Sequence, residues 1–397
     1  MSASSDHRNK YKRRGAILVY VAASGVVLLG FAALAVDAGR LYLGKTELQV
    51  AADAAALAGA MELLHERRLH GEGELLTSFQ LVRQRAAAVA GSNPVLGIGP
   101  QIDYNPGNAP DGDLVIGYLP HLYNTGEPMT FSDVTEFNAV KVRVRRDATY
   151  NGPVALMFAR ILGIDTADLV AEATAAFQYG IVGFRVRSET ATAGLIPFAL
   201  RETFWDTLTG TLAGQNSVFE DNWAYDPQTG EVTPGPDGLP EINLYPGSGD
   251  DQLPPGNFGT VDIGGANNAT ADIERQLLYG VSAEDLEYHG GELSLADGPF
   301  TLTGDTGLSA GMADALEAIV GQSRTIPLFS AASDTGNNAL FTIVKFTGVR
   351  IMHVDLTGAM TRKCVVVQPG IAMDDAAISG GDGTTSENVY HSPILVR

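Results

Sequence analysis

The sequence predicts an α+β protein that starts with a membrane-spanning helix, and three observations support this fold class. An uncharged apolar run lies near the amino terminus, a long segment rich in alanine and leucine follows it, and short strand-like runs separated by turns fill the rest. The first two patterns are typical of helices and the third of β-sheets. We therefore expect the membrane helix to continue into a helical stalk, followed by an exported domain that is first mixed α/β and then β-rich.

The apolar run extends from Ala16 through Leu28 to Val36 and contains no charged residue. At about 1.5 Å per residue, a helix of this length covers roughly 32 Å, enough to cross a hydrocarbon core of about 30 Å. A cleaved signal peptide is the alternative, with Ala33-Leu34-Ala35 as its cleavage site. The run is longer than the usual signal core of about 7–15 residues, so we predict a retained transmembrane helix over residues 15–36.

A basic tail, residues 1–14, precedes this anchor and predicts its orientation. The tail holds five Lys or Arg and a single acidic residue, and four of its cations are Lys10, Lys12, Arg13 and Arg14. Because basic residues next to a membrane span favour the cytoplasmic side, we expect the tail to stay in the cytoplasm. Everything after the anchor is then exported.

The rest of the chain is strongly acidic. The net charge of the whole chain is −20, and removing the five basic residues and one acid of the tail leaves −24. Such a surface repels nucleic acids, so nucleic acid is excluded as a partner. The single cysteine, Cys364, cannot form an internal disulfide and lies in an apolar stretch, which predicts a buried residue in a strand.

A helical stalk is predicted from Leu41 to about Arg68, with apolar residues on two faces. One face is built from small residues, Ala52, Ala55 and Gly59, which would let another backbone approach closely. The face packs either on a neighbouring element of the same domain or on a helix of another subunit, and the sequence leaves both alternatives open. The opposite face carries larger apolar residues, namely Leu43, Val50, Ala54, Leu57, Met61 and Leu64.

Three motifs near the amino terminus resemble those of a known family. They are Arg13-Arg14-Gly15 before the anchor, Val36-Asp37-Ala38-Gly39-Arg40-Leu41-Tyr42 after it, and Leu48-Gln49-Val50-Ala51-Ala52-Asp53-Ala54-Ala55-Ala56-Leu57-Ala58-Gly59-Ala60. Residues 13 to 62 resemble the amino-terminal region of TadG-like proteins of the Flp (tight adherence) pilus-assembly family. The resemblance implies a bacterial inner-membrane protein that assists the assembly of adhesive pili or related surface machinery. It also implies that other pilus-assembly or pseudopilin proteins bind the amino-terminal helix, and it implies no cofactor.

Two features of pilus and adhesion proteins are absent from the sequence. Precursors cut by a prepilin peptidase carry a glutamate five residues after the glycine at the cut, but here Gly15 is followed at that distance by Tyr20. A carboxylate inside the bilayer is kept only for a partner, so its absence predicts an unprocessed, pseudopilin-like accessory protein rather than a polymerising pilin. The Asp-x-Ser-x-Ser loop of a von Willebrand factor A module is also missing from the sequence.

The chain beyond the stalk divides into further predicted regions. A second helix from Glu72 to Ala90 completes a helical region over residues 37–91, which is followed by an α/β region over 92–187 and a loop-rich, β-dominated region over 188–397. The predicted strands are Asp113–Leu119, Asn138–Arg145, Leu169–Phe184, Leu340–Leu356 with a bulge, bend or turn at Gly348, and Lys363–Val367. For Leu169–Phe184 a helix is the alternative, because the segment contains several alanines. The predicted helices run from Asn151 to Leu162, from Thr270 onward, and from Ala310 to Val320.

No catalytic, cofactor-binding or metal-binding residue is predicted. Gly307-Leu308-Ser309-Ala310-Gly311 matches a nucleophile elbow, but the preceding residues are polar and turn-like, so a helix cap explains Ser309 better. None of the three carboxy-terminal histidines has a second metal-ligating residue at a usual ligand spacing, and the acidic loops lack a calcium-binding pattern. The chain is therefore predicted not to be an enzyme, and the alternative is an anchored envelope hydrolase or ligand-binding domain. These histidines and loop acids are His289, His353, His391, Asp226, Asp237, Asp250, Asp251 and Asp262.

Overall fold

The computed structural model describes residues 10–122, 124, 126–212, 219–245, 259–265, 270–304, 312–334, 338–359, 362–380 and 385–396. It confirms the α+β class, since a long amino-terminal helix and a second helix precede a β-rich remainder. The α-helices of this part of the chain are α1 (Lys10–Leu63), α2 (Glu72–Gly91), α3 (Glu202–Leu212), α4 (Thr270–Tyr279), α5 (Ala283–Glu287) and α6 (Ala313–Glu317).

The chain forms two compact units. The first is built from the residues up to Ala58 together with Arg83–Val115 and Val140–Thr174, and the second from Gly59–Val82, Ile116–Ala139 and the residues from Ala175 onward. The strands up to the end of the first unit are β1 (Leu114–Gly117), β2 (Ala139–Arg146), β3 (Val154–Ala155), β4 (Thr166–Ala167) and β5 (Leu169–Ala176).

The sheet of the first unit contains β1, β2 and β5 as hydrogen-bonded neighbours in that order. Strand β2 follows the predicted alternation, because Val140, Val142 and Val144 are fully buried while the basic residues between them are only half-buried. This period of two is expected for a strand with one face on the core. Strands β3 and β4 form a separate antiparallel pair.

The helix predicted from Asn151 to Leu162 is wrong. The segment instead contains β3 and, after it, a short 3-10 helix, Ala159–Leu162. Asn151 has a left-handed backbone with φ of 62° and uses its side-chain amide to bind the backbone of Gln101 and Arg145. These long-range contacts, together with the pairing of β3 with β4, outweigh the local helical pattern.

A large sheet dominates the second unit. Its strand order is β10-β16-β15-β13-β11, and β14 adds a long antiparallel partner to β15. The strands of the second unit are β6 (Ile181–Phe184), β7 (Leu200–Arg201), β8 (Trp223–Tyr225), β9 (Val232–Pro234), β10 (Ile242–Tyr245), β11 (Val261–Asp262), β12 (Leu293–Ser294), β13 (Phe300–Gly304), β14 (Ser323–Ser333), β15 (Leu340–Asp355), β16 (Cys364–Pro369), β17 (Ala372–Met373), β18 (Ala377–Ser379), β19 (Ser386–Glu387), β20 (Val389–Tyr390) and β21 (Ile394–Val396).

Two buried apolar clusters use residues of β14 and β15. One contains Trp205 of α3 and the other contains the edge-to-face ring pair of Phe329 and Phe341, whose centroids are 4.9 Å apart. Helices α4 and α6 pack on the first cluster through Leu277 and Leu316. Helix α4 starts at Thr270 as predicted, whereas α6 is shorter than predicted and Ser309 lies outside the described residues.

Strand β15 continues through Gly348 without a turn. A Cβ atom on Gly348 would lie 2.3 Å from the carbonyl oxygen of Gly370 and 2.4 Å from that of Asn388. The glycine therefore marks a close approach of three backbone segments, which is one of the reasons for glycine inside a strand.

A buried arginine joins three distant segments of the second unit. The Arg350 guanidinium of β15 forms an ion pair with Glu66 in the 3-10 helix Glu66–His70 and donates to the carbonyl oxygen of Gly321. Its centre also lies 3.5 Å from the ring centroid of Tyr225. This arrangement satisfies a charge that would otherwise be costly to bury.

Candidate functional site

Helix α1 is long and apolar enough to cross a membrane. Its 47-residue segment Ile17–Leu63 has a mean hydropathy of 2.4 over its most apolar window, and that window is not buried within the protein. Leu28 and Val36 of the predicted span are exposed. The Ser24 hydroxyl is satisfied inside the helix, donating to the carbonyl oxygen of Tyr20 at 2.8 Å. Lys10, Lys12, Arg13, Arg14 and Ala16 lie in the first turns of the same helix.

The small-residue face of α1 is covered within this chain. Ala52 and Ala55 are fully buried, and Gly59 is also buried. Close approach begins at Gly44, where an added Cβ would lie 3.1 Å from a methyl carbon of Leu169 and 3.2 Å from one of Leu96. Small residues thus allow other elements of the chain to pack directly on the helix backbone.

Polar contacts fix α1 along the first unit. The Asp37 carboxylate is buried and accepts hydrogen bonds from the backbone N–H groups of Met157, Phe158 and Ala159 at 2.7–2.8 Å. About three turns further along α1, Glu47 accepts from the N–H of Leu96 at 2.6 Å. These contacts connect the helix to segments about 50 and 120 residues away in the sequence, so no local pattern could have predicted them.

Several larger apolar residues of α1 remain at the surface, although Leu48 and Leu63 are buried. We define the exposed stripe as Val36, Leu43, Val50 and Met61, all of which are exposed. The first three are spaced by seven residues, and the half-buried Leu57 continues the same spacing. Seven-residue spacing places side chains on one side of a helix, so the stripe follows one side of α1 beyond the predicted membrane span.

A polar cavity of about 760 Å³ lies within the second unit. Among the residues that line it, Arg324 is half-buried, desolvation lowers the pKa of its guanidinium, and its Nε is buried without a hydrogen-bond partner. In the described part of the chain no carboxylate lies within ion-pair distance of Arg324. The neighbouring Asp374 accepts from the N–H of Gly194 at 2.6 Å, and burial raises the pKa of its carboxyl group. The exposed Arg187 also borders the cavity.

A second carboxyl group with a shifted pKa lies before β10. Burial raises the pKa of Glu241 to about 7; backbone N–H bonds from Asn222 and Trp223 oppose this shift, and the charges of Asp221 and Asp237 add to it. Glu241 accepts from the N–H of Trp223 at 2.6 Å. Sequence reasoning missed this residue, because one glutamate between loop residues has no distinctive pattern.

The histidines and acidic loop residues do not come together as a metal site. Over the described residues, no group of three or more His, Cys, Asp or Glu could hold a metal ion. His353 stacks on Trp223 with ring centroids 4.4 Å apart, and the His289 ring contacts the carbonyl oxygen of Ile263. Desolvation lowers the pKa of His289. His391 borders the polar cavity.

The acidic loop residues mostly bind their own loop backbone. Asp226 accepts from the N–H of Gln228 at 2.8 Å, and Asp237 accepts from that of Leu239 at 3.0 Å. Asp262 is buried and accepts from the N–H of Gly264. These are common turn contacts. Asp250 and Asp251 lie outside the described residues, as does Ser309.

Two family models match the amino-terminal part of the chain. Residues 15–62 match a model described as Flp pilus-assembly TadE/G-like, and residues 43–175 match one described as Tad-like Flp pilus-assembly. Comparison with curated proteins and with solved structures found no match. The matched residues include the apolar part of α1, its buried small-residue face, and strands β1 and β2. The amino-terminal part of the chain is therefore similar to TadE/G-like Flp pilus-assembly proteins over residues 15–62 and to Tad-like Flp pilus-assembly proteins over residues 43–175.

Proposed function

We propose that the protein is a single-pass, pseudopilin-like accessory component of a Flp-type adhesive pilus or of related surface machinery. Its basic tail lies in the cytoplasm, α1 crosses the inner membrane, and the rest of the chain is exported. The protein assists assembly by binding the amino-terminal helices of other pilus-assembly or pseudopilin proteins, and it is not an enzyme. The observation that carries this proposal is the exposed stripe on α1.

The two faces of α1 support a docking role for the stripe. The small-residue face already packs on elements of the same chain, so the exposed stripe is the face that is free for a partner. The stripe starts at the end of the membrane span, where partner proteins with apolar amino-terminal helices would lie beside it. An apolar helix surface of this kind is typical of a helix–helix interface.

An accessory role is favoured over that of the main fibre subunit. Tyr20 occupies the position of the glutamate that pilin precursors carry, and its side chain is exposed on the membrane helix. A phenol cannot form the ion pair that a buried carboxylate would make with the amine of the next subunit. The basic tail, with Lys10, Lys12, Arg13 and Arg14, is then retained and holds the amino terminus in the cytoplasm.

The proposal is tested by placing charges on the stripe in cells that make the pilus. Leu43 and Val50 are 50% and 53% exposed, so Leu43→Glu with Val50→Glu leaves the fold intact. Burying unpaired carboxylates in an apolar interface costs more than about 1.4 kcal/mol, so partner binding should fall at least roughly tenfold. The readouts are the number of surface pili seen by electron microscopy and the yield of crosslinks from a photoreactive residue placed at Met61, an exposed stripe residue that the variant leaves unchanged.

Leu76→Glu provides the matched control. Leu76 is a leucine on α2 with an exposed fraction of 49%, nearly the same as that of Leu43, but it lies outside the stripe. The control should leave both pili and crosslinks unchanged. Normal piliation in the double variant, with the protein present at its usual level, would contradict a docking role for the stripe.

The polar cavity favours a second candidate function, that of a ligand-binding domain on the same anchor. A half-buried guanidinium without a carboxylate partner is stabilised by an anion, so carboxylate or phosphate ligands fit the surroundings of Arg324. Inorganic phosphate or glucuronate should raise the melting temperature of the full-length protein. The effect should disappear in Arg324→Gln and persist in Arg160→Gln, since Arg160 is an exposed arginine of the other unit.

The hydrolase alternative has its own test. Loss of a hydrolytic activity in a folded Ser309→Ala variant would favour an enzyme.

A further inference from the structure

The loop between β3 and β4 exposes a cluster of apolar side chains. Ile161 is 82% exposed and Leu162 is 69% exposed, and Met157, Phe158 and Ile164 are exposed as well. Five large apolar residues within the eight residues 157–164 form a contiguous patch, whereas soluble surfaces usually carry such residues singly. The patch therefore needs a specific occupant.

The position of this loop is fixed by the last turn of the membrane span. Asp37 is the first residue after the span, and its carboxylate accepts hydrogen bonds from Met157, Phe158 and Ala159. All these residues belong to the first unit. The backbone of the loop therefore lies beside α1 at the level where the helix leaves the hydrocarbon core.

The contacts of β5 with α1 show that the strand runs away from the predicted membrane span. The Lys45 ammonium contacts the carbonyl oxygen of Val170, and the Gln49 amide donates to that of Glu172 at 3.0 Å. Four helical residues rise about 6 Å and two strand residues about 6.6 Å, so β5 runs beside α1 in the same direction, away from the span. The loop precedes β5 in the sequence and consequently lies at the membrane end of the unit.

We propose that the loop 157–164 inserts its apolar side chains into the interfacial layer of the bilayer that α1 crosses. Ile161 and Leu162, the two most exposed of these residues, reach the boundary between headgroups and acyl chains. This proposal rests on the crossing of the membrane by Ala16–Val36. The loop then provides a second contact with lipid, beside the helix, and restrains how the unit tilts on its anchor.

The charges of the loop agree with apolar insertion. Arg160 and Asp165 are both exposed and their charged groups are 3.7 Å apart, so the loop as a whole carries no net charge. The acidic character of the chain after its basic tail thus does not extend to this loop. Insertion is driven by burial of apolar area, as for interfacial segments in general, and Arg160 is placed to contact lipid phosphate groups.

The test uses the full-length protein in phosphatidylcholine vesicles, with Cys364 replaced by serine, or by valine if serine lowers the melting temperature. A fluorescent NBD label is attached at Ile161→Cys, and quenching is measured with nitroxide-labelled lipids and with iodide in the water phase. Ile98→Cys is the matched control, because Ile98 is also an exposed isoleucine of the first unit. Its neighbour Leu96 is bound to Glu47, ten residues or about 15 Å further along α1 than Asp37.

We expect nitroxide lipids to quench the Ile161 label at least threefold more strongly than the Ile98 label, and iodide to show the opposite order. Equal lipid quenching at the two positions would overturn the proposal. So would efficient crosslinking between Ile161→Cys residues of two copies without lipid quenching, which would identify a second copy as the occupant.

A label at Leu28→Cys separates this proposal from the anchor on which it rests. If the Leu28 label is quenched by nitroxide lipids and the Ile161 label is not, the loop proposal alone fails. If the Leu28 label is not quenched, the membrane crossing fails and the loop proposal fails with it.

Discussion

Glu241 shows how one buried carboxyl group gives the molecule a pH-dependent stability. Burial raises its pKa from an ordinary value of 4.5 to about 7, so the folded protein holds a proton that the unfolded chain releases at lower pH. Its contribution to the free energy of unfolding is therefore greatest below about pH 4.5, falls as the pH rises to about 7, and is constant above that.

Glu241→Gln should remove this fall in stability between pH 4.5 and 7, because a neutral amide does not ionise and its oxygen can still accept from the N–H of Trp223. The measurement is the urea midpoint of the full-length protein across this pH range. Glu231→Gln is the control, since Glu231 is exposed in the same segment and should leave the pH dependence unchanged. An identical pH profile for Glu241→Gln and the wild-type chain would contradict the assignment.

At the scale of elements, α1 combines a buried face with an exposed one. The buried face around Ala55 leaves no room for a larger side chain, whereas Val50 projects beside solvent one turn earlier. The same helix can therefore contribute to the core of this chain and still present an apolar surface to its surroundings.

Ala55→Leu should lower the free energy of unfolding by roughly 1–3 kcal/mol, because three added heavy atoms overpack a filled groove. Val50→Leu should change it by less than about 0.5 kcal/mol, since the residue is largely exposed. Thermal unfolding of the detergent-solubilised protein, followed by circular dichroism, compares the two variants. If Ala55→Leu melted like the parent chain, the groove would not be tightly packed.

A helix or strand could be predicted from the sequence where contacts between nearby residues determine it, and not where contacts with distant residues do. Helix α2 was predicted to within a residue because a stretch without proline, ended by a glycine, encodes it locally. The segment after Asn151 was predicted as a helix and is not one, because Asp37 and β4 supply its hydrogen bonds from far along the chain. The exposed loop within this segment was not predicted, since the same residues were interpreted as part of that helix.

At the scale of the whole molecule, the behaviour of the protein depends on its anchor. We predict that the protein stays in the membrane through high-salt and alkaline washes, because no charge interrupts Ala16–Val36. Leu28→Asp should cost about 2.5–3.5 kcal/mol of insertion free energy and release part of the protein, whereas Leu28→Ala should not. Release of a soluble parent chain that begins near Val36 would favour a cleaved signal peptide.

The retained basic tail gives a further whole-molecule prediction. Because Tyr20 replaces the glutamate of processed pilins, the mature chain should retain the basic tail and should not begin at Ala16. Mass spectrometry of the protein extracted from membranes measures this directly. An amino terminus at Ala16 would make a polymerising subunit the better assignment.

The ion pair between Glu66 and Arg350 constrains the order in which the second unit can form. The two residues are 284 positions apart, so at synthesis rates of roughly 5–20 residues per second Glu66 waits on the order of tens of seconds for its partner. During that interval the 3-10 helix after α1 lacks the contact that joins it to the sheet. All residues of the first unit are synthesised by Thr174, so contacts among them can form while the rest of the chain is still being made. During biosynthesis the first unit can therefore start to fold before the large sheet of the second unit is complete.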